Sequence, residues 1–508
     1  MPRVSLYFRG EKFEGEFEEG TLLADAIKNL LGWFILPCGG RGICGNCRVR
    51  VLEGMLSAPT KVEKKFGYTG KYRLACQARL KGDASLEVES LGERLVVYGV
   101  EPLGFDTDPL CEGVGAGIDV GSSKIAGVLI DFGSGRNVAE GFAINPQVGW
   151  GLDVISRISV IVRRRDELEK MSRETLKAVS KLIYSLLKKA GREHVDCAVF
   201  TGNSVALPIT FGIDPTPLGY YPYENPLNEV IELNGEKKNL QARKVLVLPA
   251  IKSFVGSDAS TAILATLMHG FSKYTVMADI GINTEIAYIV NKEKFLVTSA
   301  PAGPAIEGGE LSCGSTALQG AASYAYYDAE KRKVVLIPER SEKVGLSGSA
   351  IVALIASLVD HGIVDGSGRI MLPDGEVNGV KFVSLGARLR LTQKDIREFQ
   401  KAKAAISTAI NLLIRKVGRF PLSLVLAGSM GSSVDVKSAY KIGLFPRVDN
   451  VFQYGNLALV GAKLYMVSSR ARRLYEEIRG KAEHVGVMED TNYQELWMKC
   501  LSLTQCEV

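Results

Sequence analysis

The sequence predicts two unlike domains in one chain: a small α+β domain built around a cysteine-rich loop, then a larger α/β domain made of two duplicated halves. Three observations predict this. Three cysteines share the Gly-rich loop Cys38-Gly39-Gly40-Arg41-Gly42-Ile43-Cys44-Gly45-Asn46-Cys47, and a fourth, Cys76, stands apart. An apolar strand ending in Asp-x-Gly and followed by a second apolar strand occurs twice, at Asp119 and at Asp279. A third apolar strand, over 424–427, runs into Gly428-Ser429-Met430-Gly431.

The cysteine loop dictates the chemistry of the first domain. Its spacing is C-x5-C-x2-C, with Cys76 on a separate segment, Arg73-Leu74-Ala75-Cys76-Gln77. Four thiolates are the ligand set of a [2Fe–2S] cluster. A chain that wraps a cluster must turn sharply and aim backbone N–H groups at anionic sulfur, and the loop's glycines permit both. A structural zinc site is the competing reading. Zinc sites usually come as two short C-x2-C pairs, so three cysteines in one loop and one apart favour the cluster. The loop resembles that of adrenodoxin-like ferredoxin domains.

Residues 1–92 fit around that loop. Strands are expected over 4–8 and 12–17, joined by Arg9-Gly10-Glu11. Thr21 can cap a helix over 22–31. After the loop come a strand over 47–52, ended by Gly54, and a closing strand over 85–89. Strand, strand, helix, cluster loop, strand is the order of a β-grasp ferredoxin.

Composition bounds the rest. A chain of 508 residues suits two or three domains. The net charge of +6 is small, and no Lys/Arg block carries interleaved aromatics, so nucleic acid is not an expected partner. No apolar stretch is long enough to span a bilayer as a helix, so no membrane partner is expected. Nine cysteines without a signal-peptide pattern argue against a disulfide framework. The expected setting is cytoplasmic and reducing, with low oxygen to protect an exposed cluster.

Residues 93–113 carry Pro102, Gly104, Pro109 and Gly113 and read as a linker. Cys111 lies within it as a bystander, with a fifth cluster ligand the less favoured alternative. The large domain is expected over 114–482. Asp119 superimposes on Asp279 and Gly121 on Gly281, which indicates duplication. Hairpin N–H and hydroxyl groups can cradle phosphate oxygens, and a neighbouring carboxylate can hold Mg²⁺ directly or through water. Two such hairpins facing each other would clamp a polyphosphate. The glycines of the third element let backbone approach a flat ring or a ribose. Helices are expected over 167–190, from Thr392 to about 415, and over 463–479; residues 483–508 show no pattern and read as a C-terminal tail.

In order, these three elements resemble phosphate-1, phosphate-2 and adenosine motifs of the ASKHA superfamily, which includes actin, heat-shock chaperone ATPases and sugar kinases with two RNase H-like halves. The whole chain resembles the reductive activators of corrinoid proteins, ASKHA ATPases with an N-terminal [2Fe–2S] domain. Besides the cysteine loop, the similar segments are Asn145-Pro146-Gln147, Asp153-Val154-Ile155-Ser156-Arg157-Ile158, Ala302-Gly303-Pro304-Ala305-Ile306-Glu307-Gly308, Leu391 through Gln400 with Ala402-Lys403-Ala404-Ala405-Ile406, and Ile442-Gly443-Leu444-Phe445-Pro446.

The resemblance implies an enzyme that uses ATP and passes one electron from its cluster to Co(II) of a methyl-carrying corrinoid protein, restoring Co(I). Cys38, Cys44, Cys47 and Cys76 would hold the cluster. Asp119, Gly121, Ser122 and Ser123 would form the first phosphate hairpin, and Asp279, Gly281, Asn283 and Thr284 the second. Gly308 and Gly309 would approach the nucleotide, and Gly428, Ser429 and Gly431 would contact adenosine. Asp119 and Asp279 are the catalytic candidates, for Mg²⁺ or water. An upstream low-potential electron donor is implied, and a second copy of the chain is a candidate partner. This chain departs from the family where Ser122-Ser123-Lys124 replaces a Thr-rich turn, and where Ile282 and Thr284 replace a Thr and a Gly. Two rival readings remain: an activator of another low-potential acceptor such as a dehydratase, and a nucleotide-gated redox sensor that is not an enzyme.

Overall fold

Alternating apolar residues draw β1 (Arg3–Phe8) and β2 (Glu11–Glu16) into an antiparallel pair. Helix α1 (Leu23–Leu31) then buries Leu23, Ala24, Ala26 and Ile27 against them. Strand β3 (Arg48–Leu56), helix α2 (Lys61–Lys65), β4 (Tyr72–Leu74) and β5 (Leu80–Glu87) complete a sheet ordered β2-β1-β5-β3-β4, with β1 and β5 parallel. That is the expected β-grasp arrangement. Gly54 does not end β3, because a register shift against β5 carries the strand past it as a bulge. This computed structural model describes residues 1–8, 11–31, 48–65, 69–87, 95–97, 108–151, 153–308, 311–314, 321–337, 345–386 and 389–506. Cys38, Cys44 and Cys47 therefore lie outside the described residues, as does Gly309.

Part of the predicted linker is bound chain. Strand β6 (Leu95–Val97) adds itself, parallel, to the edge of a sheet in the large domain.

The duplication is visible as topology. In the first half, β7 (Val114–Val120), β8 (Lys124–Asp131) and β9 (Arg136–Ile144) form an antiparallel meander. Helices α3 (Val154–Arg163) and α4 (Asp166–Ala190) follow. Strand β10 (Val195–Gly202) then pairs parallel with β7. After the short helix α5 (Ala206–Thr210), β11 (Ile231–Asn234) and β12 (Ala242–Val247) complete the order β11-β12-β10-β7-β8-β9. Helix α6 (Ser257–Met268) leads out. The apolar stripe of α4, with Val179, Ile183 and Leu186 buried, packs on this sheet as its spacing predicts.

The second half repeats the plan. Strands β13 (Thr275–Asp279), β14 (Thr284–Asn291) and β15 (Lys294–Ala300) form the meander. An insertion carries the hairpin β16 (Tyr324–Asp328) and β17 (Lys333–Ile337), helix α7 (Gly348–Asp360), and the small sheet of β18 (Gly375–Val377), β19 (Val380–Ser384) and β20 (Arg390–Thr392). Helix α8 (Gln393–Val417) starts at the expected place, where Thr392 and Asp395 form a reciprocal capping box. Strand β21 (Ser423–Ala427) pairs parallel with β13. The short α9 (Gly428–Gly431) and α10 (Val436–Lys441) lead to β22 (Asn450–Tyr454), parallel to β21.

One helix was expected over 463–479, but Ser468 divides the stretch. It ends α11 (Leu457–Val467) and caps α12 (Ser469–Lys481). Helices α6 and α11 lie against each other between the two sheets, among a shared apolar core. Gly461 lets them touch: a Cβ there would sit 1.9 Å from Thr261 O.

The pattern-free end of the chain is structured. It forms β23 (Ala482–His484), beside β15, and α13 (Tyr493–Cys500), against α8. Lys403, wholly buried on α8, donates to the carbonyls of Cys500 and Ser502 at 2.7 Å each. Packing by long-range hydrogen bonds leaves no periodic trace in sequence. Two cysteine pairs also lie at disulfide-bridging distance, against the expectation from composition. Cys111 and Cys197 are 6.2 Å apart at Cα, and Cys500 and Cys506 are 5.2 Å apart. Cys111 thus packs beside β10 in the large domain.

Candidate functional site

The turn between β7 and β8 is held from behind. Gly121 N–H bonds Lys124 O at 2.9 Å and closes it. All three turn carbonyls are engaged from outside. Asn145 Nδ2 donates to Gly121 O at 2.7 Å, Asn145 N–H to Ser123 O at 2.9 Å, and Arg157 Nη2 to Ser122 O at 2.5 Å. Arg157 is wholly buried and also donates to Gln147 Oε1 and Gly151 O, each at 3.0 Å. The two family-like segments around Asn145 and Arg157 thus form a buttress. With its carbonyls occupied, the turn keeps its N–H side for an anion.

The second turn is built alike. Thr284 Oγ1 donates to Gly281 O at 3.0 Å, and Gly303 N–H to Ile282 O at 2.9 Å. Parallel pairing sets Asp279 level with Ala427, so Gly428 begins beside the carboxylate. Gly428 has φ +80, and a Cβ there would lie 2.4 Å from Asp279 Oδ1. In the first half Asp119 is level with Thr201, so Gly202-Asn203 takes the place that Gly428-Ser429 takes in the second.

These elements enclose a cavity of about 630 Å³ between the halves, within the usual range for a small-molecule site. Of the expected residues, Asp119, Gly121, Ser122, Ser123, Asp279, Gly281, Asn283, Gly428 and Ser429 line it. Thr284 is buried and braces the turn. Gly431 sits behind it, its carbonyl accepting Gln453 Nε2 at 2.8 Å. Gly308 ends the 3-10 turn Pro304–Glu307, whose Glu307 reaches the cavity.

Among the lining residues that sequence reasoning did not assign to the site are Asp258, Glu285, Glu307, Lys124, Asn456, Asn203 and Ser432. Three carried a signal. Glu285 is a charge inside an apolar strand, Asp258 follows Gly256-Ser257 at a helix start, and Glu307 lay in a segment already matched to the family.

The cavity is strongly acidic. Burial raises Asp119 to about 6, against the pull of the Asn456 hydrogen bond. Burial and then the Asp119 charge raise Asp258 to about 7. Burial, with Asp119, Asp258 and Glu307 nearby, raises Asp279 to about 8. Burial and then Asp258 push Glu285 well up, and its Oε1 has no hydrogen-bond partner among the described residues. Burial raises Glu307, with Lys124 opposing. An orphaned carboxylate oxygen among such neighbours fits a hard cation with oxygen ligands. Among the described residues no three ligating side chains form a ready cage. Mg²⁺ bridged to phosphates needs only one or two carboxylates.

In the small domain Cys76 is buried in the turn after β4, where Gln77 Nε2 donates to its sulfur at 3.7 Å. Buried Glu63 fixes this turn by accepting Arg73 Nε at 2.9 Å and Leu74 N–H at 3.1 Å. A sulfur accepting an N–H suits a cluster thiolate.

Comparison with known proteins agrees with the fold. A model described as a 2Fe-2S iron-sulfur cluster binding domain matches residues 7–81, the RACo middle region matches 114–270, and the C-terminal (ASKHA) domain of RACo matches 273–508. The chain is 30% identical to the corrinoid activation enzyme RamQ of Eubacterium limosum, over 82% of this chain and 74% of that one. It is 28% identical to a [Co(II) methylated amine-specific corrinoid protein] reductase of Methanosarcina barkeri, over 46% of each chain. A solved reductive activator for a corrinoid, iron–sulfur protein shares the fold, with a TM-score of 0.70, 22% identity, and coverage of 100% of this chain and 99% of that one. The chain belongs to the family of ATPase-fold corrinoid activation enzymes that carry a [2Fe–2S] ferredoxin domain.

Proposed function

We propose that this protein is an ATP-dependent reductive activator that returns a corrinoid protein from Co(II) to Co(I). The observation that carries the reading is the union of a ferredoxin domain with a two-hairpin acidic cleft in one chain of this family. Cys38, Cys44, Cys47 and Cys76 would hold a [2Fe–2S] cluster, which supplies one electron at a potential near about −400 mV. The substrate cobalt gains that electron, and an upstream low-potential donor replaces it. For a one-electron step each ~59 mV of deficit costs tenfold in the equilibrium. Reduction of a harder acceptor therefore needs a second source of free energy.

The cleft is where nucleotide would supply it. The Ser122-Ser123 turn and the Gly281–Asn283 turn would receive phosphate oxygens, with Lys124 as the nearby cation. Asp119 and Asp279 would orient Mg²⁺ or its waters, and Gly428-Ser429 would admit the adenosine. Nucleotide can assist reduction only by binding more tightly to the partner-bound state in which cobalt is easier to reduce.

The test is anaerobic. Chemically reduced protein is mixed with a Co(II) corrinoid protein, and Co(I) absorbance is followed with and without MgATP. Co(I) formed only with MgATP is the expected result. Co(I) formed equally without it would leave a plain electron carrier. No Co(I) with any corrinoid protein would refute the reading.

A further inference from the structure

The dipeptide Gly455-Asn456, where β22 gives way to α11, touches both halves of the cleft. The Gly455 carbonyl accepts Gly428 N–H at 2.9 Å, which anchors the adenosine-side loop. Asn456 Oδ1 accepts Leu459 N–H at 2.7 Å and caps α11. Its Nδ2 donates to Asp119 Oδ2 at 2.6 Å. Strand β22 belongs to the second-half sheet and Asp119 to the first, so this amide bridges the sheets beneath the cavity.

We propose that Asn456 is a positioning residue for the nucleotide chemistry, holding the Asp119 carboxylate in register with the Gly428 loop so that both halves address one nucleotide. The inference rests on the cleft reading above. An amide suits the task because each end is committed. The oxygen is fixed by the helix N–H, so the nitrogen must face the carboxylate. Serine would cap the helix about as well but carries no second arm. A lysine would reach Asp119 yet bring a charge that competes with a bound cation. A neutral donor orients the carboxylate and leaves its charge available. The duplication underlines the choice. In the first half, the helix that follows the corresponding strand brings Asp258 to the cavity; here the chain carries a neutral amide at the helix start, which adds no charge to the acids already around Asp119.

The experiment uses the full chain and isothermal titration with MgATP, in a cycle of Asn456→Ser with Asp119→Ala. Asn456→Ser keeps a helix cap but strips buried Asp119 Oδ2 of its donor, so its melting temperature without nucleotide should fall modestly while the chain still folds. Its affinity should fall roughly tenfold or more, the loss expected for one hydrogen bond to a charged group. In the Asp119→Ala background the same change should cost less than about twofold, because the bond it removes is already gone. An equal loss in both backgrounds would overturn the proposal and leave Asn456 as a helix cap. Asn456→Asp, which keeps the cap but faces Asp119 with a second carboxylate, should bind more weakly than Asn456→Ser; tighter binding would also overturn it. Wild-type protein that binds no MgATP would overturn the cleft reading itself. Wild type that binds MgATP but never yields Co(I) would leave Asn456 in place and remove only the corrinoid assignment.

Discussion

Replacing Gly428 with alanine tests whether the third element presses directly on the Asp279–Asn283 turn that we propose receives phosphate. Gly428 holds φ +80, a region that costs an L side chain about 1–2 kcal/mol. The added Cβ would also lie 2.4 Å from Asp279 Oδ1 and 2.9 Å from Ile280 O. The backbone there is pinned, since Ile280 N–H bonds Ala427 O at 3.0 Å and Gly428 N–H bonds Gly455 O at 2.9 Å. The carboxylate must then retreat by roughly 1 Å to restore an ordinary contact. Strain plus one weakened hydrogen bond amounts to about 2–3 kcal/mol. A displacement of that size at a reacting group costs on the order of 100-fold in rate. Gly428→Ala is therefore expected to lose ATPase kcat/KM by about that factor, with the visible spectrum of the ferredoxin domain unchanged. Gly281→Ala is the control. Its Cβ would lie 3.3 Å from Asn283 O and 3.4 Å from Glu307 Oε1, which small shifts can absorb. A Gly428→Ala enzyme within about threefold of wild type, or a Gly281→Ala enzyme more impaired than it, would refute the reasoning.

Arg157→Lys keeps a cation but cannot reach all three acceptors at Ser122, Gln147 and Gly151. Each buried acceptor left bare costs about 1–3 kcal/mol, so calorimetry should find a lower melting temperature and titration a weaker MgATP affinity. Unchanged MgATP affinity would mean that the first turn holds itself. The pH dependence has a definite sign. Asp119 at about 6 and Asp279 at about 8 lie above the usual carboxylate value, so the folded empty protein binds more protons than the unfolded chain between that value and about 8. Stability without nucleotide should therefore fall as pH rises through this window. Mg²⁺ and Lys124 favour the ionised carboxylates, so MgATP binding should release protons and tighten from pH ~6 to ~8. Titration in buffers of differing ionisation enthalpy counts those protons, and zero release across the window would contradict the assignment.

What sequence revealed depended on how local the cause was. Asp119-x-Gly121 and Asp279-x-Gly281 were visible because a strand, a carboxylate and a tight turn lie within a few residues of one another. The capping box of α8 was visible for the same reason: Thr392 and Asp395 satisfy each other within one helical turn. Asn456 was hidden because its partner Asp119 is distant in sequence, and nothing near it but a strand end and a helix start marks the place. The linker strand β6 was hidden because three residues are too few for a period, and its pairing with β22 is a tertiary event. The C-terminal segment looked patternless because Lys403 and Gln400, far upstream, satisfy its carbonyls. Arg157 shows the intermediate case. A family-like segment flagged it, but only the fold shows that its guanidinium holds the Gly121–Ser123 turn from behind.

Neither half of the cleft holds a complete site. The first contributes Asp119, Ser122, Ser123 and Lys124; the second contributes Asp279, Asn283 and Gly428. Between them Asp258, Glu285 and Glu307 add carboxyls that burial, and for the first two the repulsion of neighbouring acids, push toward the protonated form, with Lys124 beside them in the lining. A nucleotide with its cation would exchange that repulsion for contacts with both halves at once, and so set their separation. The halves are packed through α6 and α11, with Gly461 against Thr261, and such a contact has few arrangements available. Strand β22, which ends in Gly455-Asn456, also carries the linker strand β6 on its outer edge. Occupancy of the cleft and placement of the ferredoxin tether therefore share one strand.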